Sequence, residues 1–158
     1  MGMTDECEAL LFAASRAQHV HDVIKPAIEM GNIVLCDRYV DSSIAYQGGG
    51  RGLGNWVKVI NEKAVNGCMP DLTLLFDLNA EEALRRRKSA TGADRIESAQ
   101  SGFMTDVYNA FMALSEEEPE RIKVIDANGN IEQIQMRVRQ MVTDKILTLC
   151  QSPEKTEE

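Results

Sequence analysis

The chain has no run of eighteen apolar residues, so no segment reads as a transmembrane helix. Its first residues, MGMTDECEAL, lack the basic and apolar regions of a signal peptide, and the expected location is the cytoplasm. Four cysteines at 7, 36, 68 and 150 are too far apart for a CxxC pair, and the two histidines are near neighbours, His19 and His21. That spacing argues against a Cys/His metal site and for free thiols in a reducing compartment. A formal net charge of −8 excludes a nucleic-acid polymer as the obvious partner, because a polyphosphate backbone needs a basic footprint. Also missing is a glycine before any Lys-Ser or Lys-Thr pair, so no Walker A loop is present.

What is there suits one domain: 158 residues, 44% of them hydrophobic, are enough for a core. Three apolar runs read as strands, each in or beside an aspartate: Ile33 to Cys36 before Asp37, Leu72 to Leu78 around Asp77, and Ile122 to Ile125 before Asp126. Their continuous apolar character predicts burial on both faces, as in a parallel sheet. Helical patterns surround them. The first starts at Asp5 with Glu8 as a capping-box partner and carries Cys7, Leu10, Leu11, Ala14, Ala17 and Ile24 on one face. Pro26 should kink or break it, and Gly31 with Asn32 should end it. Asn79 caps another, Gly92 interrupts it, and the pattern resumes toward Leu114. Ile131 to Leu149 repeats apolar residues at helical spacing. Residues 151 to 158 read as a flexible polar tail after a domain over 1–150. Alternating strands and helices place the chain in the α/β class.

The stretch from 36 to 54, CDRYVDSSIAYQGGGRGLG, holds five glycines and two arginines in nineteen residues. Following a strand, it reads as a phosphate site, since residues at the carboxyl ends of parallel strands face the ligand crevice. Arg38 can grip a phosphate bidentately or simply pair with Asp37 at the surface. Gly48, Gly49, Gly50, Gly52 and Gly54 allow positive backbone angles and close approach, as a flexible clamp would need. Phe12, Arg16 and His19 share a second face of the first helix, where a ring and a guanidinium could stack on a base and donate to its carbonyl. On spacing alone, a core Phe12 and a solvated Arg16 are the more frequent outcome. Arg85, Arg86, Arg87, Lys88 and Arg95 form a second basic segment, open to reading as a solvated helix face.

Four motifs in order, LLFAASRAQHV, CDRYVDSSIAYQGGGRGLG, PDLTLLFDL and an arginine-rich segment closing in GADRIE, resemble bacterial thymidylate kinase over nearly the whole chain. The resemblance implies a P-loop nucleoside monophosphate kinase-like parallel sheet with flanking helices, dTMP and ATP as substrates with Mg²⁺, a role in dTTP biosynthesis, and a homodimer. It implies that Phe12 stacks on thymine, Arg16 donates to its carbonyl and Arg38 holds the acceptor monophosphate. Ser42, Ser43 and Gln47 would line that site, and Tyr46 would crowd the sugar against a ribose 2′-hydroxyl. Stacking is worth about 1 to 3 kcal/mol and a methyl-sized pocket a similar amount, so discrimination against dUMP should be modest. Arg86, Arg87 and Arg95 would form the catalytic lid over the ATP phosphates. Asp126, Ala127 and Asn128 would pack the adenine. No residue is assigned as a direct ligand of Mg²⁺, with Asp37 the candidate to touch its water shell.

The family opens with a strand, a GxxxxGK[ST] loop, a helix and a second strand, and these are not in the sequence. Roughly fifty residues, about one P-loop βαβ unit, are expected to be missing at the N-terminus. The ATP phosphates would then lack their backbone cradle, and two apolar strand edges would be exposed, an aggregation hazard. Kinase activity is accordingly expected of a complete protein. The alternative is a non-catalytic dTMP-binding or subunit-interaction fragment of the same fold.

Overall fold

The computed structural model describes residues 2–78 and 101–151. They fall into two compact units. One holds the described chain up to Pro70 together with the helix Ser101–Glu117, and the other runs from Asp71 to Leu78 and from Glu118 onward. Among the described residues, no helix is long and apolar enough to cross a membrane.

In the first unit, helix α1 (Asp5–His19) is capped by Thr4, whose Oγ1 accepts from the Cys7 N–H at 3.2 Å. The expected capping box at Asp5 and Glu8 does not form. Thr4 lies one residue earlier and supplies the hydroxyl, and Glu8 turns its carboxylate to Gln47 and Arg51 instead. Pro26 does not break the helix. A π-helical turn, Val20–Ile24, precedes it, and the Lys25 N–H reaches back to the Val20 carbonyl, which makes room for a ring lacking its own N–H. The helix continues as α2 (Lys25–Glu29). It ends as predicted at Gly31 (φ 78°), with Asn32 donating to Ala27 and Gly31 to Ile28, the double bond of a Schellman motif.

The buried face of this helix is Ala9, Ala13, Val20 and Ile24, whereas Leu10 and Leu11, expected to face the core, are 50% and 53% exposed. The small side chains let α1 lie close on helix α4 (Trp56–Val65). Val20 and Ile24 join Val40 and Val65 in one core cluster, with Val34, Tyr39, Ile44 and Cys68 packed against it.

Helix α3 (Val40–Ser43) runs directly into a second π-helical segment, Ile44–Gly50. The glycines at 48 to 50 are therefore helical, not a flexible loop. A Cβ on Gly49 would sit 2.6 Å from the Ala110 Cβ, and one on Gly50 would sit 2.5 Å from a Phe103 ring carbon and 2.7 Å from Val107. Gly49 and Gly50 let helix α5 (Ser101–Glu117) seat against the segment, around a cluster of Ala45, Phe103 and Val107. Only Gly52 (φ 70°) and Gly54 (φ 65°) use the left-handed conformation expected of the whole set.

The apolar run Ile33 to Cys36 is not a strand. Among the described residues it has no ladder neighbour, and Ile33 and Leu35 are 73% and 90% exposed. A strand without a partner leaves its backbone groups to water, so hydrophobicity alone does not make one.

In the second unit, β1 (Thr73–Asp77) and β2 (Ile122–Asp126) pair in parallel with Thr73 opposite Ile122 and Asp77 opposite Asp126, as the sequence predicts for these two runs. Arg121 secures the start of the pair, donating to Thr73 Oγ1 at 2.9 Å and to Glu118 at 2.7 Å. Ala127 donates to the Asp77 carbonyl at 2.7 Å and extends the ladder. Helix α6 (Ile131–Gln151) follows, opened by a reciprocal cap in which Gln133 N–H donates to Asn130 Oδ1 and Asn130 N–H to Gln133 Oε1. The helix that Asn79 was expected to cap and the tail from 152 lie outside the described residues.

Two outcomes follow from this packing. Gly50→Ala should destabilise the protein by about 1 to 3 kcal/mol through overpacking, whereas Gly102→Ala, where an added Cβ meets nothing within 4 Å, should stabilise it by about 0.5 kcal/mol. Paired thermal melts check both, and equal shifts would remove the packing argument. The Asp126 carboxyl is held below its ordinary value, first by the Asn128 backbone N–H, then by the Asn128 side chain and Arg137. A depressed carboxyl contributes stability above its unfolded value of about 4 and loses it as pH falls through the lower folded value. Asp126→Asn should therefore flatten the fall of Tm with acid below about pH 4; an unchanged acid limb would contradict it.

Candidate functional site

The candidate side chains Phe12, Arg16, Arg38, Ser42, Ser43, Tyr46 and Gln47 lie in the first unit, and Arg16 bonds to Ser43 among them. Its Nη2 donates to the Tyr39 carbonyl at 3.0 Å and to Ser43 Oγ at 2.9 Å, and its Nη1 donates to Asn61 Oδ1. The guanidinium carbon lies 5.5 Å from the centre of the Tyr39 ring. Burial lowers the Arg16 pKa, opposed by Tyr39, Cys36 and Asp41, yet a guanidinium stays charged at any ordinary pH. Burial, with Cys68 and Cys36 adding to it and Arg16 opposing, pushes the Tyr39 phenol up to about 12, so it is a neutral group whose O–H donates a hydrogen bond to the Cys68 carbonyl at 3.0 Å.

A guanidinium has five N–H groups, and the three bonds above engage both on Nη2 and one on Nη1. It is thus oriented by the fold while keeping capacity to donate to a carbonyl. Phe12, one turn earlier on α1, is 43% exposed and so is not the core residue its spacing suggests.

Arg38 has φ 62°, a left-handed backbone that a non-glycine residue adopts at a cost. Its guanidinium carbon sits 5.1 Å from the Tyr46 ring centre, with Nη2 3.5 Å from the phenol oxygen. Tyr46 in turn meets Phe103 and Phe111 edge-on at 6.1 and 6.3 Å, so the ring under Arg38 is held from α5. The structure therefore pairs Arg38 with Tyr46, not with the neighbouring Asp37, which is exposed.

Gln47 is buried and donates to Glu8 Oε1 at 2.9 Å. Arg51 reaches Glu8 Oε2 at 3.3 Å and Asp5 at 3.4 Å and lies over the Phe103 ring at 5.1 Å. Ser43 is buried and Ser42 half-buried. Asp126, Ala127 and Asn128 belong to the second unit, where Asp126 Oδ1 accepts from the Asn128 N–H at 2.9 Å and its side chain at 2.7 Å. Arg137 ties this turn from α6, donating to the carbonyls of Asp126 and Asn128. Arg86, Arg87 and Arg95 lie outside the described residues. Among the described residues, no three His, Cys, Asp or Glu side chains come together as a metal site.

Two residues of this site escape motif reading. Asn61 is fully buried in the stripe Val57, Asn61, Val65 on α4, and a lone amide in an apolar i, i+4, i+8 stripe was the available signal. Glu8 was visible only as a helix-start carboxylate, because its true partners lie about forty residues away in sequence.

The family model described as thymidylate kinase matches residues 1–138. The chain is 49% identical over 134 residues to the thymidylate kinase of Exiguobacterium sibiricum, covering 84% of this chain and 63% of that one. It is 49% identical over 145 residues to that of another Exiguobacterium species, covering 91% and 68%. To the thymidylate kinase of Syntrophotalea carbinolica it is 46% identical over 140 residues, covering 84% and 65%. It thus spans about two thirds of the length of these relatives. With a family match over most of its residues and relatives at this identity, the chain belongs to the thymidylate kinase family.

Proposed function

We propose that this chain carries the acceptor site of a cytoplasmic dTMP kinase, which transfers the γ-phosphoryl group of ATP to dTMP and yields dTDP. The observation that carries the reading is the three-point anchorage of Arg16 beside an exposed Phe12. A fixed cation with spare donors next to an aromatic face suits a flat base bearing a carbonyl. Arg38, in a strained backbone and braced on Tyr46, would take the monophosphate. Tyr46 itself would stand against the sugar, with Ser42, Ser43 and Gln47 completing the wall.

Phosphoryl transfer needs little covalent chemistry from the protein, which mostly positions the groups and neutralises charge. In that scheme Arg86, Arg87 and Arg95 close over the transferring phosphate, and Asp126, Ala127 and Asn128 meet the adenine. Mg²⁺ would accompany ATP, held mainly by the phosphates and water, with Asp37 the candidate to touch its water shell. The contribution assigned to this chain is binding and orientation of the acceptor together with the lid arginines, while a P-loop cradle for the ATP phosphates is not in its sequence.

Calorimetric titration with dTMP tests the binding half. Arg38→Ala should weaken dTMP by about 10- to 100-fold, the worth of a lost charge-assisted phosphate contact, and an unchanged affinity would remove Arg38 from the phosphate. ADP release from ATP and Mg²⁺ that depends on added dTMP is expected only where a P-loop is also supplied, since this sequence holds no Walker A loop. The 158 residues alone should bind dTMP saturably without releasing ADP, and turnover by them at an ordinary kinase rate would overturn the claim that the P-loop is indispensable.

A further inference from the structure

Asn61 is fully buried, and a buried primary amide is costly unless both of its ends are paired. Both are. Its Nδ2 donates to the Val57 carbonyl at 2.8 Å, one turn back on α4, and its Oδ1 accepts from Arg16. The orientation follows from chemistry: a carbonyl can only accept and a guanidinium can only donate, so the amide cannot flip without opposing two donors and two acceptors. Val57's backbone thereby dictates that an oxygen faces Arg16, while Ser43 and the Tyr39 carbonyl hold the guanidinium from another direction.

We propose that Asn61 is a positioning residue for base selection. It fixes the plane of the Arg16 guanidinium so that the remaining N–H groups meet a pyrimidine carbonyl and oppose an amino group at the same place. The inference rests on Arg16 being the donor to the base. Arginine is a long, flexible side chain, and without Asn61 its head would be held from one direction only. A loosely held guanidinium can turn away from a 4-amino group, so that group is no longer rejected. Selectivity between a 4-oxo and a 4-amino pyrimidine is then set from α4 by a residue that need not touch the nucleotide.

The test compares dTMP with 5-methyl-2′-deoxycytidine 5′-monophosphate, which keeps the methyl, sugar and phosphate and exchanges the 4-oxo for an amino group. Calorimetry on the full 158-residue chain should show wild type preferring dTMP by at least about 100-fold, as for a site whose donors are left unpaired by the wrong ligand. Asn61→Leu, which has no acceptor, should cut that ratio by about tenfold or more. Asn61→Asp, which keeps an oxygen toward Arg16 but sets its second oxygen against the Val57 carbonyl, should melt at lower temperature yet hold the ratio within about threefold of wild type. Should thermal melts show Asn61→Leu unfolded, Asn61→Ser, too short to reach Arg16, takes its place. A ratio left at the wild-type value, including an equal loss for both nucleotides, overturns the positioning role and leaves dTMP binding standing. A wild-type protein that binds both nucleotides alike overturns the assignment of Arg16 and the inference with it.

Discussion

A guanidinium that leaves bulk water must take its hydrogen-bond partners with it, and in the first unit that requirement falls on Arg16. Its partners come from three places: the backbone of Tyr39, Ser43 at the end of α3, and Asn61 in the middle of α4. One side chain of α1 therefore fixes where α3 and α4 stand relative to it. The apolar clusters supply burial but little direction, since hydrophobic attraction has none. The polar contacts decide orientation.

A second constraint is steric. Gly49 and Gly50 have no room for a Cβ, so α5 approaches the π-helical segment to the distance that Phe103, Val107 and Ala110 allow. That approach brings Phe103 and Phe111 against Tyr46, and Tyr46 supports the Arg38 guanidinium. The left-handed backbone at Arg38 is compatible with this bracing, because strain persists only where the surroundings hold it. From glycine to aromatic to cation, the chain of contact runs through packing and does not depend on mobility.

Glu8 links these two systems. It accepts from Gln47 and Arg51, so the start of α1 is tied to the same segment that the glycines seat. Arg51 adds contacts to Asp5 and the face of Phe103. A carboxylate that local rules would assign to helix capping is thereby spent on tertiary structure, and Thr4 does the capping.

The sequence by itself determined the α/β class, the two runs that pair as parallel strands, the Gly31 helix end, and the motif order that carries the family resemblance. These are local or one-dimensional signals: an apolar run, a residue that tolerates positive φ, a spacing. Through that resemblance it named Arg16, Arg38 and Tyr46 as candidates for the site. Only the tertiary structure decided that Leu10 and Leu11 face outward while Ala9 and Ala13 face in, because the buried face of a helix is chosen by what packs on it. It alone turned Gly48 to Gly50 from a loop into a helix contact, left Ile33 to Cys36 without a ladder, and brought Asn61 to Arg16 across 45 residues. Such contacts depend on which backbone comes near which, and no spacing along the chain encodes that distance.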